Sequence, residues 1–342
     1  MSSFDTRAVG STAVANDTTP LRFGLIGCGD VAAKRVAAAL REAPGSALLA
    51  ASRARAELLP QFAKDHGISR TYADWRDLLR DPEVDAVYLA TPVALHAEQT
   101  IAAAKAGKHV LCEKPMALDV DACRRMNEAA RANGVRLGVA YYRHHYPVVA
   151  RMRDALRSGE IGAPVFAHAQ AFERFNASAG QPRGWLLQRS SSGGGPMADF
   201  GCHRIEVLLD LLGPVKSASG VLTNALFKER DVEDTCIATL LFEGGASGMV
   251  TVTHAAHERR DSIEILGTEG AMVVPTLNDG VVRITTAAGT REESHPPHPN
   301  LHLPLVEDFV RAVRERHAPT VSGEVGLAVQ EVLAKIYAGR PV

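Results

Sequence analysis

From Leu21 onward the chain alternates short apolar runs with segments whose apolar residues recur at helical spacing: LRFGLI and VAAKRVAAALREA, ALLAAS and RAELLPQFAKDHG, a short RTYAD, DAVYLA and LHAEQTIAAAKAG, HVLCE and DVDACRRMNEAARANG, then VRLGV. Strands separated by helices of this length pair in parallel, because each crossover must carry the chain back to the same end of the sheet. The pattern predicts a doubly wound α/β sheet, a Rossmann-type domain, over residues 21–142.

The texture changes after YYRHHYP at residues 141–147. A helical stretch, PVVARMRDALRSG, leads to an extended run near Ala163 to Phe175, a Gly/Ser-rich segment and another helix. Period-two stretches follow: SASGVLTNALF, DTCIATLLFE, ASGMVTVTHAA, DSIEILGT, AMVVP and VVRITTA, with turn signals at Glu243-Gly244-Gly245 and Asn278-Asp279-Gly280. Consecutive strands joined by tight turns make a mostly antiparallel sheet. Residues 143–342 are therefore expected to form a second α/β domain with a large open sheet. Its closing helical segments, LPLVEDFVRAVRERH and EVGLAVQEVLAKIYAG, are candidates to pack back on the first domain.

Length supports the division, since 342 residues exceed the roughly 250 to 300 at which one core stops growing. A formal net charge of -1 offers no positive field for a phosphate backbone, so nucleic acid is not an expected partner. No stretch approaches the roughly 18 apolar residues of a membrane-spanning helix. The first 20 residues lack the basic start and apolar run of a signal peptide and read as a disordered tail. Cys28, Cys112, Cys123, Cys202 and Cys236 are odd in number and show no paired C-x-x-C spacing. They read as reduced thiols of a cytoplasmic protein, with no zinc site.

The chemistry starts at GLIGCGDVAAKRV, where Gly27-x-Gly29-x-x-Ala32 follows the first strand and opens the first helix. In that setting the first glycine makes a tight turn and the second leaves room for a pyrophosphate at the helix N-terminus, with Asp30 and Val31 completing the loop. Strand two ends on Ser52-Arg53, with no carboxylate for the ribose of NAD. A hydroxyl and a fixed cation suit a 2′-phosphate, so NADP is the expected cofactor, with NAD as the alternative. In an open parallel sheet ligands lie beyond the carboxyl ends of the strands, which brings Thr91-Pro92, Leu95, His96 and Glu113-Lys114-Pro115 toward the same crevice. Further on, SSSGGGPMADFGCHRIEVLLDLLG carries Asp199 and His203 four apart, hence on one helix face near its amino end.

Gly27-x-Gly29-x-x-Ala32, Thr91-Pro92, Glu113-Lys114-Pro115 and Asp199-x-Gly201-x-His203, in this order, resemble the Gfo/Idh/MocA family of oxidoreductases. The resemblance runs from Leu21 over nearly the whole chain. It implies a cofactor domain followed by a domain whose open sheet mediates homodimer or homotetramer formation, with the active site between them. It carries the catalytic lysine onto Lys114, the substrate-binding aspartate onto Asp199 and the acid/base histidine onto His203. A proline that is often cis in relatives falls on Pro115. Arg143 and His144 stand where many relatives have two arginines, and Trp185-Leu186 where they have tryptophan-arginine. Arg143 and His144 are thus candidates for substrate contact and Trp185 for cofactor contact; imidazole and leucine do not reproduce an arginine fork.

These residues describe hydride transfer between a nicotinamide and a secondary alcohol or carbonyl of a sugar, cyclitol or related polyol. His203 would exchange the hydroxyl proton and Lys114 would stabilise charge on the reacting oxygen. Alternatives are a glycosidase acting through transient oxidation by NAD and a sensor that binds sugar or NADP without catalysis. His295, His298 and His302 lie in a proline-rich loop without the spacing of a metal site, and His302 is a candidate to approach the cleft.

Overall fold

The computed structural model describes residues 19–177, 180–181 and 183–339. The tail expected over residues 1–20 lies, up to residue 18, outside them. Strands β1 (Leu21–Ile26), β2 (Ser46–Ser52), β3 (Arg70–Tyr72), β4 (Ala86–Leu89), β5 (His109–Cys112) and β6 (Leu137–Val139) form a six-stranded sheet ordered β3-β2-β1-β4-β5-β6. Every pair in it is parallel. The apolar runs of β1, β4 and β5 are buried along almost their whole length, as a sheet covered on both faces requires. Helices α1 (Ala37–Glu42), α2 (Leu59–His66), α3 (Trp75–Arg80), α4 (His96–Lys105) and α5 (Val120–Ala132) lie in the crossovers. Of these, α3 escapes the periodicity reading because it spans only six residues. Its start is set by Asp74, whose carboxylate accepts from the Arg76 N–H at 2.9 Å. Strand order reverses between β1 and β4, leaving a crevice at their carboxyl ends.

The second layer begins with α6 (Pro147–Arg157), β7 (Pro164–Arg174), α7 (Arg189–Ser192) and α8 (Cys202–Leu212). The strands that follow are β8 (Val215–Thr223), β9 (Thr235–Phe242), β10 (Ser247–Thr253), β11 (Ala255–Gly267), β12 (Gly270–Val274), β13 (Val281–Thr286) and β14 (Gly289–Ser294). With β7 they make an eight-stranded sheet ordered β14-β13-β12-β11-β7-β10-β9-β8. All pairs are antiparallel except β7 with β10, which run parallel, so their carboxyl ends emerge side by side. The predicted turns appear at Gly245 and Gly280, both at positive φ. The sequence pattern gives no hint of β14, because GTREES has no apolar face; pairing with β13 defines it.

Along β9 the residues alternate strictly, with Cys236, Ala238, Leu240 and Phe242 buried toward the helices. On the opposite face Val221, Ile237, Leu241 and Leu266 stay exposed. The two closing helices, α9 (Leu303–Arg314) and α10 (Gly323–Ala338), tie the layers together. Phe309 of α9 meets Phe23 of β1 with ring centroids 6.1 Å apart. Gly326 of α10 lies against Met116 and Val139, while Ile336 near its far end lies against Gly220 of β8.

Candidate active site

The glycine loop occupies the crevice. Gly27 takes φ +94°, and a Cβ there would stand 2.6 Å from the Ala90 carbonyl oxygen, so the turn admits only glycine. Its N–H donates to the Ser52 carbonyl at 2.9 Å, tying the loop to the end of β2. A Cβ on Gly29, by contrast, would meet nothing within 4 Å. That open space above the backbone is the room a pyrophosphate needs, and the donor set fits a dinucleotide. The helix that follows starts with a π-helical turn over Ala32–Val36, and Val31 precedes it in helical conformation. The Asp30 carboxylate is taken by Lys34 at 2.8 Å on the surface, so it does not oppose a phosphate directly. Ser52 is buried at the end of β2, and Arg53 beside it makes no hydrogen bond or ion pair among the described residues.

His96 differs from its expected role as a cofactor contact. It is fully buried, with Nε2 2.9 Å from the Thr91 carbonyl oxygen and Nδ1 3.0 Å from that of Pro115. It braces the ends of β4 and β5 against each other, so its ring nitrogens are not available to a ligand. Burial lowers its pKa despite the two carbonyls. Thr91 donates its hydroxyl to Gln99 at 2.6 Å, and Pro92 starts the turn that carries the exposed Leu95.

Past β5 the Lys114-Pro115 peptide is cis. The Lys114 ammonium crosses to the second layer, donating to the Asp199 carbonyl at 2.6 Å and to Asp199 Oδ1 at 3.1 Å. Burial pulls the Lys114 pKa down, but the Asp199 charge outweighs it and the net shift is upward. For Asp199 burial acts upward, and the charges of Lys114, His254 and Arg183 turn the shift downward. Both groups are therefore ionised at neutral pH. Asp199 lies in a π-helical turn, Met197–Gly201, that leads into α8.

His203 follows on α8, buried, with its ring edge-on to Tyr141 and Tyr142 at centroid distances of 5.5 and 4.9 Å. Its Nδ1 has no hydrogen-bond partner among the described residues. Burial, then the positive charges of Lys114, Arg143 and Arg204, push its pKa well below the usual value. The imidazole is neutral at physiological pH.

Glu113 turns away from the Lys114 ammonium. Its Oε1 accepts from the Tyr88 hydroxyl at 2.8 Å and lies 3.3 Å from His302 Nε2, while Oε2 accepts from the Lys114 N–H at 3.2 Å. Burial would raise its pKa; the His302 bond and the neighbouring charges lower it. His302 also stacks on Tyr142 at 4.8 Å, which brings the start of α9 into the site. The other two histidines of that loop diverge: His295 pairs with Glu293 at 3.1 Å and His298 with the Asn300 carbonyl at 3.0 Å. Among the described residues no group of three or more His, Cys, Asp or Glu could hold a metal ion.

Arg143 and His144, expected at the substrate, are both engaged by protein groups. Arg143 donates to the Tyr142 hydroxyl at 2.8 Å and lies 3.6 Å from Asp261, where Arg204 also binds. It orients Tyr142 and adds positive charge behind His203. His144 Nδ1 lies 2.7 Å from Glu206 and its Nε2 3.9 Å from Asp210, further along α8 than His203. Burial opposes protonation of His144, but the Glu206 bond and charge overcome it and raise the pKa. Trp185 is half-buried in a short 3-10 turn, Gly184–Leu187, leading into α7, which packs beside the Val93–Leu95 turn.

The sequence reading overlooked Arg183 and His254. Arg183 lies 3.5 Å from Asp199 Oδ2 and covers the Phe175 ring at 4.3 Å. His254 follows β10 directly and reaches within 3.9 Å of the same oxygen. The parallel pairing of β7 and β10 brings Phe175 and His254 to one end of the sheet beside Asp199. A period-two pattern reports faces, not neighbours, so only the parallel register, had it been foreseen, would have flagged them.

The site therefore joins a glycine cradle on the first layer to an ionised lysine–aspartate pair and a neutral histidine between the layers. Residues 21–141 match the family model described as "Oxidoreductase family, NAD-binding Rossmann fold", and residues 149–273 match the model of the GFO/IDH/MocA C-terminal domain. The chain belongs to the Gfo/Idh/MocA family. It is a nicotinamide-dependent oxidoreductase acting on CH–OH groups. It is 33% identical over 314 residues to 1,5-anhydro-D-fructose reductase of Ensifer adhaerens, covering 90% of this chain and 92% of that one. It is 31% identical over 329 residues to the D-xylose 1-dehydrogenase [NADP(+)] of Haloarcula marismortui, covering 93% and 90%. Among solved structures, a levoglucosan dehydrogenase in complex with NADH and levoglucosan superposes with a TM-score of 0.85 at 27% identity, covering 94% of this chain and 97% of that one.

Proposed function

We propose that this family member oxidises a secondary alcohol of a sugar, cyclitol or related polyhydroxylated small molecule, or reduces the matching carbonyl, with preference for NADP. The observation that carries the reading is the Lys114 contact with Asp199, made next to a neutral buried His203. When bound, the cofactor supplies the hydride chemistry, held by Gly27, Gly29, the backbone of Asp30 and Val31, and the cleft-lining Thr91, Pro92, Leu95 and Trp185.

The protein's own part is placement and proton management. Lys114 keeps two of its three donors on Asp199, which fixes the ammonium and leaves a third to stabilise negative charge on the reacting oxygen. His203, kept neutral, accepts the hydroxyl proton during oxidation. Once protonated among so many cations it is a strong acid, which suits the reverse direction. Glu113 and His302 hold the main chain at Lys114 and enclose the site.

Arg53, without a hydrogen-bond or ion-pair partner among the described residues, stands just past the end of β2 to receive a 2′-phosphate, with Ser52 beside it. Both cofactors occur among relatives: the levoglucosan dehydrogenase structure contains NADH, and the xylose dehydrogenase is named for NADP. The apolar open sheet face supports assembly as a homodimer or homotetramer. Five buried free thiols support a reducing compartment, the cytoplasm. No helix among the described residues is long and apolar enough to cross a membrane.

The test is turnover of NADP and NADPH across sugars, cyclitols and diketones. Substrate-dependent change in reduced-cofactor absorbance supports the reading. Product release with no net cofactor change would replace it with transient-oxidation glycosidase chemistry, and cofactor binding without turnover would leave a sensor.

A further inference from the structure

His254 has an environment that packing alone does not explain. Its side chain is fully buried between two aromatic rings, Phe175 and Phe200, each edge-on at centroid distances of 5.1 and 5.0 Å. Its backbone is pinned on both sides: its N–H donates to the Asp234 carbonyl at 2.7 Å, and its carbonyl accepts from the Phe175 N–H at 2.9 Å. The imidazole thus has a fixed position and a fixed plane.

Its tautomer follows from its neighbours. Nδ1 lies 3.5 Å from an Arg230 guanidinium nitrogen, which can only donate, so Nδ1 is the acceptor and the hydrogen sits on Nε2. Burial, before any charge, pushes the His254 pKa down to about 4, which keeps the ring neutral and this single tautomer in place. Nε2 then has a hydrogen to donate and no partner among the described residues. The nearest carboxylate oxygen, Asp199 Oδ2, is 3.9 Å away. That is too far for a direct N–H···O bond, yet one oxygen about 2.8 Å from each atom completes both. A hydroxyl has the right valence, since it accepts from Nε2–H and donates to the carboxylate. An imidazole alone in that position leaves a buried donor unsatisfied, at a cost of about 1 to 3 kcal/mol.

We propose that His254 is a specificity-determining residue: its Nε2–H and Asp199 Oδ2 together hold the substrate hydroxyl on the carbon next to the one oxidised. The proposal rests on the polyol oxidoreductase reading above. Asp199 then divides its labour, Oδ1 fixing Lys114 at the reacting oxygen and Oδ2 reading the neighbouring hydroxyl. The substrate class narrows to vicinal diols and α-hydroxy ketones. Arg183 lies 3.5 Å from Oδ2, and its 43% exposed side chain has the freedom to move aside for the incoming hydroxyl.

The experiment compares pairs of substrates. Wild type is first assayed on levoglucosan, scyllo-inositol, myo-inositol and D-xylose with NADP and NAD, and on 1,5-anhydro-D-fructose with NADPH and NADH. The best of these is then compared with its deoxy counterpart lacking the hydroxyl beside the oxidised carbon. His254→Phe and His254→Leu remove the donor within the aromatic pocket, and His254→Gln keeps an N–H; NADPH binding by fluorescence reports that each is folded. The expected result is a loss of about tenfold or more in kcat/KM for the hydroxylated substrate in the Phe and Leu variants, little change for the deoxy substrate, and partial recovery in the Gln variant. An equal loss on both substrates overturns the proposal and makes His254 a structural support, leaving the polyol reading intact. Absence of wild-type turnover on every polyol overturns the polyol reading itself, and the proposal with it.

Discussion

Lys114 and Asp199 lie 85 residues apart in sequence and meet through two hydrogen bonds, one to the main chain and one to the carboxylate, across the junction of the two layers. The pair belongs to neither layer alone. Its lysine is aimed by the end of a parallel strand and its aspartate by the first turn of a helix, so both layers must dock for the site to exist.

Lys114→Met should therefore lower kcat by about two to three orders of magnitude, the range seen when a donor to a developing oxyanion is removed. His203→Asn should lower it by roughly 10²- to 10⁴-fold through loss of proton transfer. Cofactor affinity, measured by fluorescence titration, should change little in either, because neither side chain touches the glycine cradle. Near-normal kcat in one of them would remove that residue from its role.

The two loop glycines separate folding from binding. Gly27→Ala places a Cβ 2.6 Å from a carbonyl oxygen at φ +94°, so it should destabilise the protein by about 1 to 3 kcal/mol in a denaturant titration. Gly29→Ala meets nothing within 4 Å and should leave stability unchanged, while dinucleotide affinity falls tenfold or more because the methyl fills the cradle. Equal effects of the two on stability would show that Gly29 is glycine for packing after all.

Much of this was legible in the sequence. The alternation of apolar runs and helical segments specified the parallel sheet, because burial on both faces leaves a continuous apolar signature. The chemistry at strand ends was equally visible, since glycine, lysine and proline there conflict with what a plain strand needs. What the sequence did not convey was direction. Arg143, His144 and His96 are polar groups near the site, and only coordinates reveal that Asp261, Glu206 and two carbonyls absorb them. His254 was hidden for the reverse reason: it follows an ordinary strand, and its importance comes from the parallel neighbour β7. Glu113 shows both sides, foreseen as part of the motif but bound to His302, 189 residues away.

Arg53→Ala should reduce the preference for NADP over NAD by about ten- to a hundredfold, the value of one charge-assisted hydrogen bond to a phosphate. Affinity for NAD should hardly move, since Arg53 has no hydrogen bond or ion pair to lose among the described residues. Isothermal titration with both cofactors measures this directly. An unchanged ratio would assign the preference elsewhere.

Acid should unfold the protein earlier than its carboxylates alone predict. His145 and His254 both have pKa values lowered to about 4, chiefly by burial, and His203 is lowered well below its usual value for the same leading reason. An unfolded chain protonates these rings near pH 6.5, whereas the folded protein does not. The unfolded state thus binds more protons between about pH 6.5 and 4, and stability falls as pH falls through that window. His144 opposes this, its raised pKa favouring the folded state on acidification, but burial also lowers His66, His96, His109 and His168, so it is one against seven. Asp199 and Glu113, with lowered pKa values, add their own loss only as pH drops below the ordinary carboxylate range. Thermal melts from pH 7 to 4 should show Tm decreasing throughout, and His145→Gln should flatten the slope between pH 6.5 and 4. A wild-type Tm that holds steady down to pH 4.5 would contradict the sign.

The open sheet face makes the last prediction. Val221 on β8 and Ile237 on β9 are direct cross-strand partners, and they are 65% and 44% exposed on the side no helix covers. Leu241 and Leu266 lie on the same face, interspersed with the exposed Thr239 and Ser247, and large exposed apolar side chains grouped on one sheet face with a polar surround mark an interaction surface. The alternation along β9 keeps this face separate from the one packed on the helices, so a second copy can pack face to face on it. Replacing both residues, Val221→Lys with Ile237→Lys, puts like charges at the centre of such an interface. The wild-type chain should sediment as a dimer or tetramer and the double variant as a monomer, with cofactor affinity retained because the glycine cradle is in the other layer. A wild type that sediments as a monomer at micromolar concentration would leave that face to another partner.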